Sequence, residues 1–514
     1  EASKFTDYYD FSERIDRIPP HRIHALLRGE KEGFLRLRVT ADPDRARQLL
    51  FDRVVGRRVS IWRDQLRKAL DDAHDRLLSH QIETEIRMDL RQRADEKAIG
   101  VFASNLEDLL MAPPFGGKPV LAIDPGLRTG CKVVILSGTG ALREHGLVHP
   151  TAPRKDVEGT ERALDAWFAK HDDVAAIAVG NGTGGRETFD VVQAWARDRG
   201  RHLPVVLVNE AGASVYSASE VAREELPDHD VTVRGAVSIG RRLQDPLAEL
   251  VKIDPKSIGV GQYQHDVDPK RLATSLGEVV ERCVNQVGVD VNTASPALLE
   301  YVSGLNARIA RAIVAHRDAA GGIGSRAELK KVKGLGAKTF EQAAGFLRVR
   351  GGHPLDDSAV HPERYDLVAA IARDLGRELP DLLGDARTVR QIDPQRYESD
   401  DVGIYTLQDI VDELEKPGRD PRDQFEAVSF REDVHELEDL REDMVLPGVV
   451  TNVTHFGAFV DVGVHQDGLV HVSQIANHYV QDPADVLNVG QNVTVRVMEV
   501  DRQRRRIALT IKGV

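Results

Sequence analysis

Two phenylalanines near the end of the chain, Phe456 and Phe459, are separated by Gly-Ala and followed by a histidine at His471. Flat rings stack on nucleic-acid bases at about 1 to 3 kcal/mol per base without demanding a sequence. In the last apolar run, Arg506 and Lys512 alternate with the hydrophobic residues, so both should point away from a core. Rings beside cations therefore indicate a surface suited to the stacked bases and the phosphates of a nucleic-acid strand. The alternative is that the two rings only cap the end of a small barrel.

The elements that would carry these residues are five short apolar runs in residues 444–514. Their lengths and the turns between them predict a small OB-type β-barrel. In the second run, Ala458 and Val460 take the core face, so Phe459 should face water. The segment closely resembles the S1 RNA-binding domain over its whole length.

Three carboxylates, Asp124, Glu210 and Asp245, offer a second kind of chemistry. Asp124 ends an apolar strand and Glu210 follows a later one, while Asp245 comes after a helical stretch. Hydrolysis by two metal ions needs several carboxylates that converge on ions about 4 Å apart. Such convergence would make these residues a catalytic site for Mg²⁺.

The segment around these carboxylates resembles the YqgF group of the RNase H-like fold, with Asp124-Pro125-Gly126-Leu127-Arg128-Thr129-Gly130 as its first-strand motif. The strand ending at Val179 delivers Gly180 and Asn181, where active nucleases of that fold commonly carry an acid. A neutral amide weakens a divalent-ion site. The sequence therefore favours a fold kept for binding over a live enzyme, with Mg²⁺ expected only if the site is active and no other cofactor expected.

The glycines of Gly180–Gly185 also match the dinucleotide pattern G-x-G-x-x-G between a strand and a helix. Against that function, the preceding strand is not the first of its domain. A phosphate-binding loop is a weaker alternative, because Arg186-Glu187 stands where such a loop requires Lys and Ser or Thr.

A glycine-rich turn lies between two predicted helices further along the chain and contains Lys333, Gly334, Gly336 and Lys338. Glycines let a turn approach phosphate closely, the next helix offers free N–H groups, and the lysines add charge. With a similar turn near Asn306, this region resembles tandem helix-hairpin-helix units, which bind nucleic-acid backbone. In the first turn Asn306 replaces a glycine, and for both turns a plain helical corner is the alternative.

Composition sets limits on the function. The chain has 514 residues, enough for roughly three to five domains, and a formal charge of −13, which argues against coating nucleic acid by bulk electrostatics. Two widely spaced cysteines fit a reducing cytoplasm. No apolar run is long enough to span a membrane. The start at Glu1, without methionine, suggests that an upstream part of the natural chain is absent or processed.

The predicted fold class is multidomain α+β. Two local expectations are a strand at Gly33 to Val39 and an acidic helix at Glu432 to Asp443 that spaces the barrel from the body. The predicted domains are a helical scaffold (1–115), an RNase H-like domain (116–250), a connecting segment (251–288), tandem helix-hairpin-helix (289–350), a helical linker region (351–443) and an S1 domain (444–514).

This order of modules resembles the Tex family of bacterial transcription accessory proteins. The resemblance implies a cytoplasmic factor that binds RNA and single strands and is tied to transcription or translation. Our leading hypothesis is a protein without enzymatic activity that binds single-stranded RNA or mRNA, with DNA as a further ligand. The competing hypothesis is a metal-dependent nuclease or resolvase. A third is a scaffold that docks RNA polymerase or the ribosome.

Overall fold

The computed structural model describes residues 4–56, 61–261, 264–422, 424–426, 430–431, 434, 436–464, 466–502 and 504–514. The chain forms two compact units, Glu1–Phe102 with Gly261–Leu272, and Ala103–Val260 with Ala273–Val514. The predicted multidomain class is confirmed, since the described residues contain helical domains, a mixed sheet and a closed barrel. None of the helices described is both long and apolar enough to cross a membrane.

The α-helices of the described residues range from four to 32 residues in length. In chain order they are α1 Pro20–Lys31, α2 Pro43–Val54, α3 Arg63–Ala73, α4 Ser79–Leu110, α5 Val157–Lys170, α6 Gly185–Asp198, α7 Ala213–Ala218, α8 Glu220–Glu225, α9 Val231–Gln244, α10 Pro246–Leu250, α11 Pro269–Val287, α12 Pro296–Glu300, α13 Ala307–Ala320, α14 Ala337–Ala343, α15 Tyr365–Asp374, α16 Leu379–Leu382, α17 Ala386–Val389 and α18 Ile404–Glu415.

The first unit is helical, with a small core in which Ile23 of α1 packs against Leu90 and Ala94 of α4. The strand predicted at Gly33 to Val39 is wrong, because this segment has no strand partner among the described residues. Side-chain carboxylates take its amides instead: Leu37 N–H donates to Glu30 at 3.2 Å and Val39 N–H donates to Glu83 at 3.1 Å.

A five-stranded sheet follows in the second unit. Its strands are β1 Val120–Asp124, β2 Cys131–Leu136, β3 Leu142–Val148, β4 Ala176–Gly180 and β5 Val205–Val208, in the order β3-β2-β1-β4-β5. The first three strands pair antiparallel, whereas β1, β4 and β5 run parallel. We call residues 116–250, which hold this sheet and its helices, the sheet domain.

Both faces of this sheet are covered, which explains why β1 and β4 are apolar on both sides. Leu164, Phe168 and Trp195 from α5 and α6 fill one face. On the other face, α9 lies close to β1 and β2 because Gly240 has no side chain there. A Cβ at Gly240 would lie 2.6 Å from a methyl group of Leu136.

One buried arginine links the helices of residues 289–350 to the helices that follow them. Arg326 is 1% exposed, and its guanidinium donates to the carbonyls of Leu347, Leu355, Val360 and Ser358 and to the hydroxyl of Tyr365. A two-stranded sheet of β6 Val289–Asp290 and β7 Leu347–Arg348 lies beside it. Arg326 therefore fastens the hairpin region to the helices that follow.

The C-terminal barrel is closed, as the apolar runs predict. Its strands are β8 Val445–Thr454, β9 Gly457–Asp461, β10 Gly468–His471, β11 Asn492–Asp501 and β12 Arg506–Thr510, in the order β10-β12-β11-β8-β9. Before it, residues 436–443 form a 3-10 turn at Leu437–Asp439 rather than the expected helix; residues 432, 433 and 435 lie outside the described residues.

Candidate nucleic-acid interface

The ring surface of the barrel, defined as Phe456, Phe459 and His471, lies on β9 and β10 and the turn before β9. Strand alternation places Ala458 and Val460 in the core, whereas Phe459 is half-buried and points outward. The ring centroids of Phe456 and Phe459 are 6.2 Å apart, with the ring planes at 87°. This edge-to-face arrangement holds the two rings in fixed orientations beside each other.

His471 lies opposite Gly457 in the antiparallel pair and is exposed. The backbone N–H of Ser473 donates to its Nδ1 at 3.3 Å, so Nδ1 is the acceptor in the neutral ring and Nε2 carries the proton. Glycine is needed at 457, because its φ is 155° and a Cβ there would overlap the carbonyl of Val470. The histidine edge thus offers an N–H donor on the strand next to Phe459.

The two predicted cations lie at different ends of β12. In the parallel pair Leu469 lies beside Ala508, which places the Arg506 end away from His471. Lys512 follows the other end of β12, where its N–H donates to the carbonyl of Gln474 at 3.3 Å. Lys512 therefore lies at the end of the sheet that carries His471, and Arg506 lies at the opposite end.

A further ring beside this surface, that of His455, is absent from the residues predicted from the sequence. Its centroid lies 5.2 Å from that of Phe456, with the planes at 87°. Burial lowers the pKa of His455 and so favours the uncharged ring, the opposing charge of Asp482 being the smaller influence. The signal was present, since His455 directly precedes Phe456 in the sequence.

The barrel is docked on the sheet domain, not held apart by a spacer. Arg186, at the start of α6, forms an ion pair with Asp461 of β9, in which its Nη2 donates to both carboxylate oxygens at 2.6 and 2.8 Å, and its guanidinium lies 4.8 Å from the Phe430 ring centroid. At a second contact, Val489 N–H donates to Asp108 of α4 at 2.7 Å, and burial raises the pKa of Asp108 to about 6.

A third contact lies beside the ring surface. Asn105 of α4 is 3% exposed, and its amide donates to the side-chain oxygen of Asn452 at 2.9 Å. Asn452 is the β8 neighbour of Phe459. One side of the ring surface is therefore bounded by α4.

The second glycine turn presents its predicted residues to solvent. Lys333, Gly334, Gly336 and Lys338 are all exposed, Gly334 has a φ of 92°, and Leu335 anchors the turn in the core. The following helix, α14, has only seven residues, so its dipole adds little. The attraction for phosphate at this turn would come from the two lysines and the exposed backbone.

The first turn differs in a way that follows from Asn306. Its side chain accepts hydrogen bonds from Arg308 N–H and Ile309 N–H, both at 3.1 Å. These are the amides that a helix would otherwise offer to a phosphate. The first turn therefore caps its own helix.

Asp124 and Glu210 are close enough to influence each other at the carboxyl edge of the sheet. Burial, with the charge of Glu210 as the second cause, raises the pKa of Asp124 to about 6. Burial also raises the pKa of Glu210. The two predicted carboxylates are thus brought together in a partly desolvated place.

The glycine pattern at Gly180–Gly185 has an explanation within the chain. A Cβ at Gly182 would overlap the Glu210 carboxylate, and one at Gly180 would lie 2.6 Å from it. Asn181 also accepts a hydrogen bond from Glu210 N–H at 3.1 Å. The glycines leave space for the Glu210 carboxylate. A dinucleotide phosphate would need that same space.

Asp245 does not join this pair. It caps α10, with Ala248 N–H donating to it at 3.1 Å, and forms an ion pair with Arg422 at 2.7 Å. The preceding residue, Gln244, donates to Ser137 O, beyond the end of β2 that lies away from Asp124. Along α9, the residue that meets Asp124 is Gly235. Among the described residues, no group of three or more His, Cys, Asp or Glu side chains is arranged to hold a metal ion.

Comparison with known families accounts for these parts in order. Family models match the Tex central region-like sequence over residues 1–102, the Tex protein YqgF-like domain over 118–244, a helix-hairpin-helix motif over 284–348, an HHH domain over 353–422 and the S1 RNA binding domain over 439–512. The Transcriptional accessory protein Tex of Neisseria gonorrhoeae is 49% identical over 519 residues, which cover 100% of this chain and 68% of that protein. The chain belongs to the Tex family.

Two other relatives are similar over the same span. Protein tex of Bordetella pertussis is 50% identical over 528 residues, covering 100% of this chain and 66% of that protein. The human S1 RNA-binding domain-containing protein 1 is 33% identical over 589 residues, covering 99% of this chain and 58% of that protein. The chain thus spans about two thirds of the length of its bacterial Tex relatives.

The bounds of the family matches bear on the predicted residue Asp245 and on the predicted helical linker region. The YqgF-like match ends at residue 244, so it includes Asp124 and Glu210 and stops before Asp245. The HHH domain match covers α15 to α18, which lie in the region that the sequence pattern predicts to be a helical linker. In this Tex chain the buried Arg326 joins that domain to the hairpins before it.

Proposed function

We propose that this chain binds single-stranded RNA without sequence specificity and has no catalytic activity of its own. The observation that carries the proposal is the ring surface, where Phe456 and Phe459 lie edge to face at 6.2 Å beside the exposed His471. Bases would stack on the two phenylalanines, and Lys512 would contact phosphate at the same end of the sheet. The name of the matched S1 family supports RNA as the ligand.

A second contact would come from the turn of Lys333 and Lys338, which are exposed and can each meet a backbone phosphate. The formal charge of −13 limits further phosphate contacts, so binding should depend modestly on salt. DNA would bind through the same rings, because stacking does not require the 2′-hydroxyl.

The test replaces both rings. Phe456→Ala with Phe459→Ala should weaken the binding of a single-stranded RNA at fixed salt by at least tenfold, the equivalent of about one stacked base. Tyr405→Ala is the matched control, since Tyr405 is 83% exposed on α18 and should not contact the strand. Unchanged affinity of the double variant would show that the strand binds elsewhere.

A Cβ at Gly180 would lie 2.6 Å from Glu210 and 3.0 Å from Pro125, the residue after Asp124, and this placement keeps a metal-dependent nuclease as the second candidate. Incubation with Mg²⁺ or Mn²⁺ and labelled single-stranded, duplex and branched substrates separates the two functions. Under our proposal neither the chain nor its Asp124→Asn variant cleaves. Cleavage that disappears in Asp124→Asn would establish the nuclease instead.

We propose that this binding takes place in the cytoplasm and serves transcription. The name of the Neisseria gonorrhoeae relative supports the link to transcription, and the two buried, unpaired cysteines fit a reducing compartment. RNA polymerase or the ribosome is the partner that this role calls for. A pull-down with purified polymerase and purified ribosomes, with and without residues 444–514, measures whether a partner is held through the barrel.

A further inference from the structure

Strand β5 forms one edge of the five-stranded sheet, and its outer side borders a cleft of about 1000 Å³. The carbonyls of Pro204 and Val208 accept hydrogen bonds from β4 and the residue after it, at 2.9 and 3.0 Å. Because peptide groups alternate in direction along a strand, those of Val205 and Leu207 point away from β4. In the part of the chain that the structure describes, these outward groups have no hydrogen-bond partner.

The opposite wall of the cleft belongs to the barrel and to the segment that leads to it. Val449 and Val450 of β8 line it, together with the rings of Phe425 and Phe430. The volume of the cleft lies at the upper end of the range of about 300 to 1000 Å³ that is typical of ligand sites. The cleft therefore combines an unpaired strand edge with a wall that is apolar in part, and Asp108 and Glu426 also line it.

A buried cation stands at the carboxyl end of β5. Arg242 is 5% exposed, lines the cleft, and donates through Nη1 to the carbonyls of Asn209 and Ala211 at 2.7 and 2.8 Å. Its Nε and Nη2 are buried and have no hydrogen-bond partner among the described residues. The charges of Glu249 and Glu210 act on Arg242, but neither carboxylate takes these N–H groups in a hydrogen bond. Buried guanidinium N–H groups left in this way are costly, and an incoming carboxylate would satisfy them.

We propose that the β5 edge is a docking site for an extended segment of a partner protein that carries an acidic side chain. The segment would add a strand to the sheet through the peptide groups of Val205 and Leu207, with its apolar side chains against Phe425 and Phe430. Its carboxylate would meet Arg242. Hydrogen bonds to the main chain would give affinity, and the buried cation would select the acid.

The first test uses the edge amide itself. Leu207→Pro removes an outward N–H that the β4–β5 ladder does not use, and proline is tolerated at such edge positions. Leu207→Val keeps the N–H and is the matched control. A phage-displayed library of random octapeptides, selected on the full chain, should yield acidic, apolar peptides that bind Leu207→Val like the unaltered protein and Leu207→Pro at least tenfold more weakly.

The second measurement locates the peptide. Hydrogen exchange of the Val205 and Leu207 amides should slow at least tenfold when a selected peptide is added, and replacing the peptide's Asp or Glu by its amide should reduce affinity at least tenfold. Peptides that bind both variants equally, or leave the two amides exchanging as before, would overturn the proposal. So would protection of these amides by a single-stranded RNA in place of a peptide, which would assign the edge to nucleic acid.

Discussion

Arg186 and Asp461 form an ion pair that fastens the C-terminal barrel to the sheet domain, with one guanidinium nitrogen donating to both carboxylate oxygens. The side chains are 11% and 19% exposed, and the Phe430 ring covers the guanidinium. Because the partners come from α6 and β9, the pair fixes the barrel against the very edge at which Asp124 and Glu210 lie. The ring surface therefore belongs to a barrel that is fastened to the sheet domain.

Loss of this pair should loosen the barrel. In Arg186→Gln, the half-buried Asp461 loses its ion partner and keeps the hydrogen bond from Gly463 N–H, which costs up to roughly 3 kcal/mol. Proteolysis between residues 424 and 444 should accelerate, with cleavage followed by mass spectrometry. Arg162→Gln is the matched control, because Arg162 pairs with Glu158 at the surface and both are largely exposed. Equal cleavage rates in the two variants would contradict the assigned role.

The carboxylate pair makes the stability of the sheet domain dependent on pH. The pKa of Asp124 is raised to about 6, so the folded state binds a proton more tightly than the unfolded state does. Stability should therefore fall as the pH rises from about 4 to 7. Asp124→Asn removes this loss and should stabilise the domain at pH 7 by about 1 to 3 kcal/mol, with no gain below about pH 4. Denaturant unfolding at both pH values measures it.

Glu210→Gln separates the two causes of this shift. The pKa of Asp124 should fall in the variant, because the charge of Glu210 is removed, and should stay above its ordinary value, because burial is the larger cause. An NMR titration of the Asp124 carboxyl gives both values. A pKa that does not move would mean that the two acids do not interact.

The two glycine turns should respond differently to substitution. Lys333→Ala with Lys338→Ala should reduce the salt slope of single-strand binding by about 0.7 for each phosphate that is no longer neutralised. Asn306→Ala should leave affinity and slope unchanged, and should cost about 1 kcal/mol of stability, since Asn306 caps α13. Fluorescence anisotropy across a salt series tests both variants. A reduced slope in Asn306→Ala would show that the first turn contacts phosphate too.

Removing the buried Arg326 should destabilise the hairpin region. Arg326→Met leaves the carbonyls that it binds and the Tyr365 hydroxyl without their donor, and buried acceptors without partners cost about 1 to 3 kcal/mol each. We expect thermal unfolding of this region at least about 10 °C lower. Arg390→Met, whose ion pair with Glu415 involves a 71% exposed arginine, should unfold like the unaltered chain. A small effect of Arg326→Met would mean that its acceptors find other donors.

Sequence patterns located the elements whose burial is simple. The strand that ends at Asp124 is apolar on both faces, and the structure has it at Val120–Asp124. The strand β3 was missed because its exposed residues alternate with half-buried ones, a weak signal. The segment at Leu37 and Val39 was mistaken for a strand, since the acids that take its amides lie outside the segment itself.

The positions of some candidate site residues could be predicted from the sequence, and those of others could not. Alternation along β9 was enough to place Phe459 outside the barrel, because strand periodicity is local. The separation of Asp245 from Asp124 could not be foreseen, as it depends on where α9 lies along the sheet. The Arg186–Asp461 contact joins residues 275 positions apart, and nothing in either local sequence indicates it.

The strand order has a consequence for strand pairing between copies of the chain. A closed barrel has no free edge, so β8 to β12 cannot template the addition of a neighbouring copy. The five-stranded sheet does have edges, and they are protected differently. At one edge, β3 carries the charged residues Arg143 and Glu144, which discourage edge-to-edge pairing with a strand of another copy. At the other, β5 is recessed in a cleft, out of reach of a second bulky sheet.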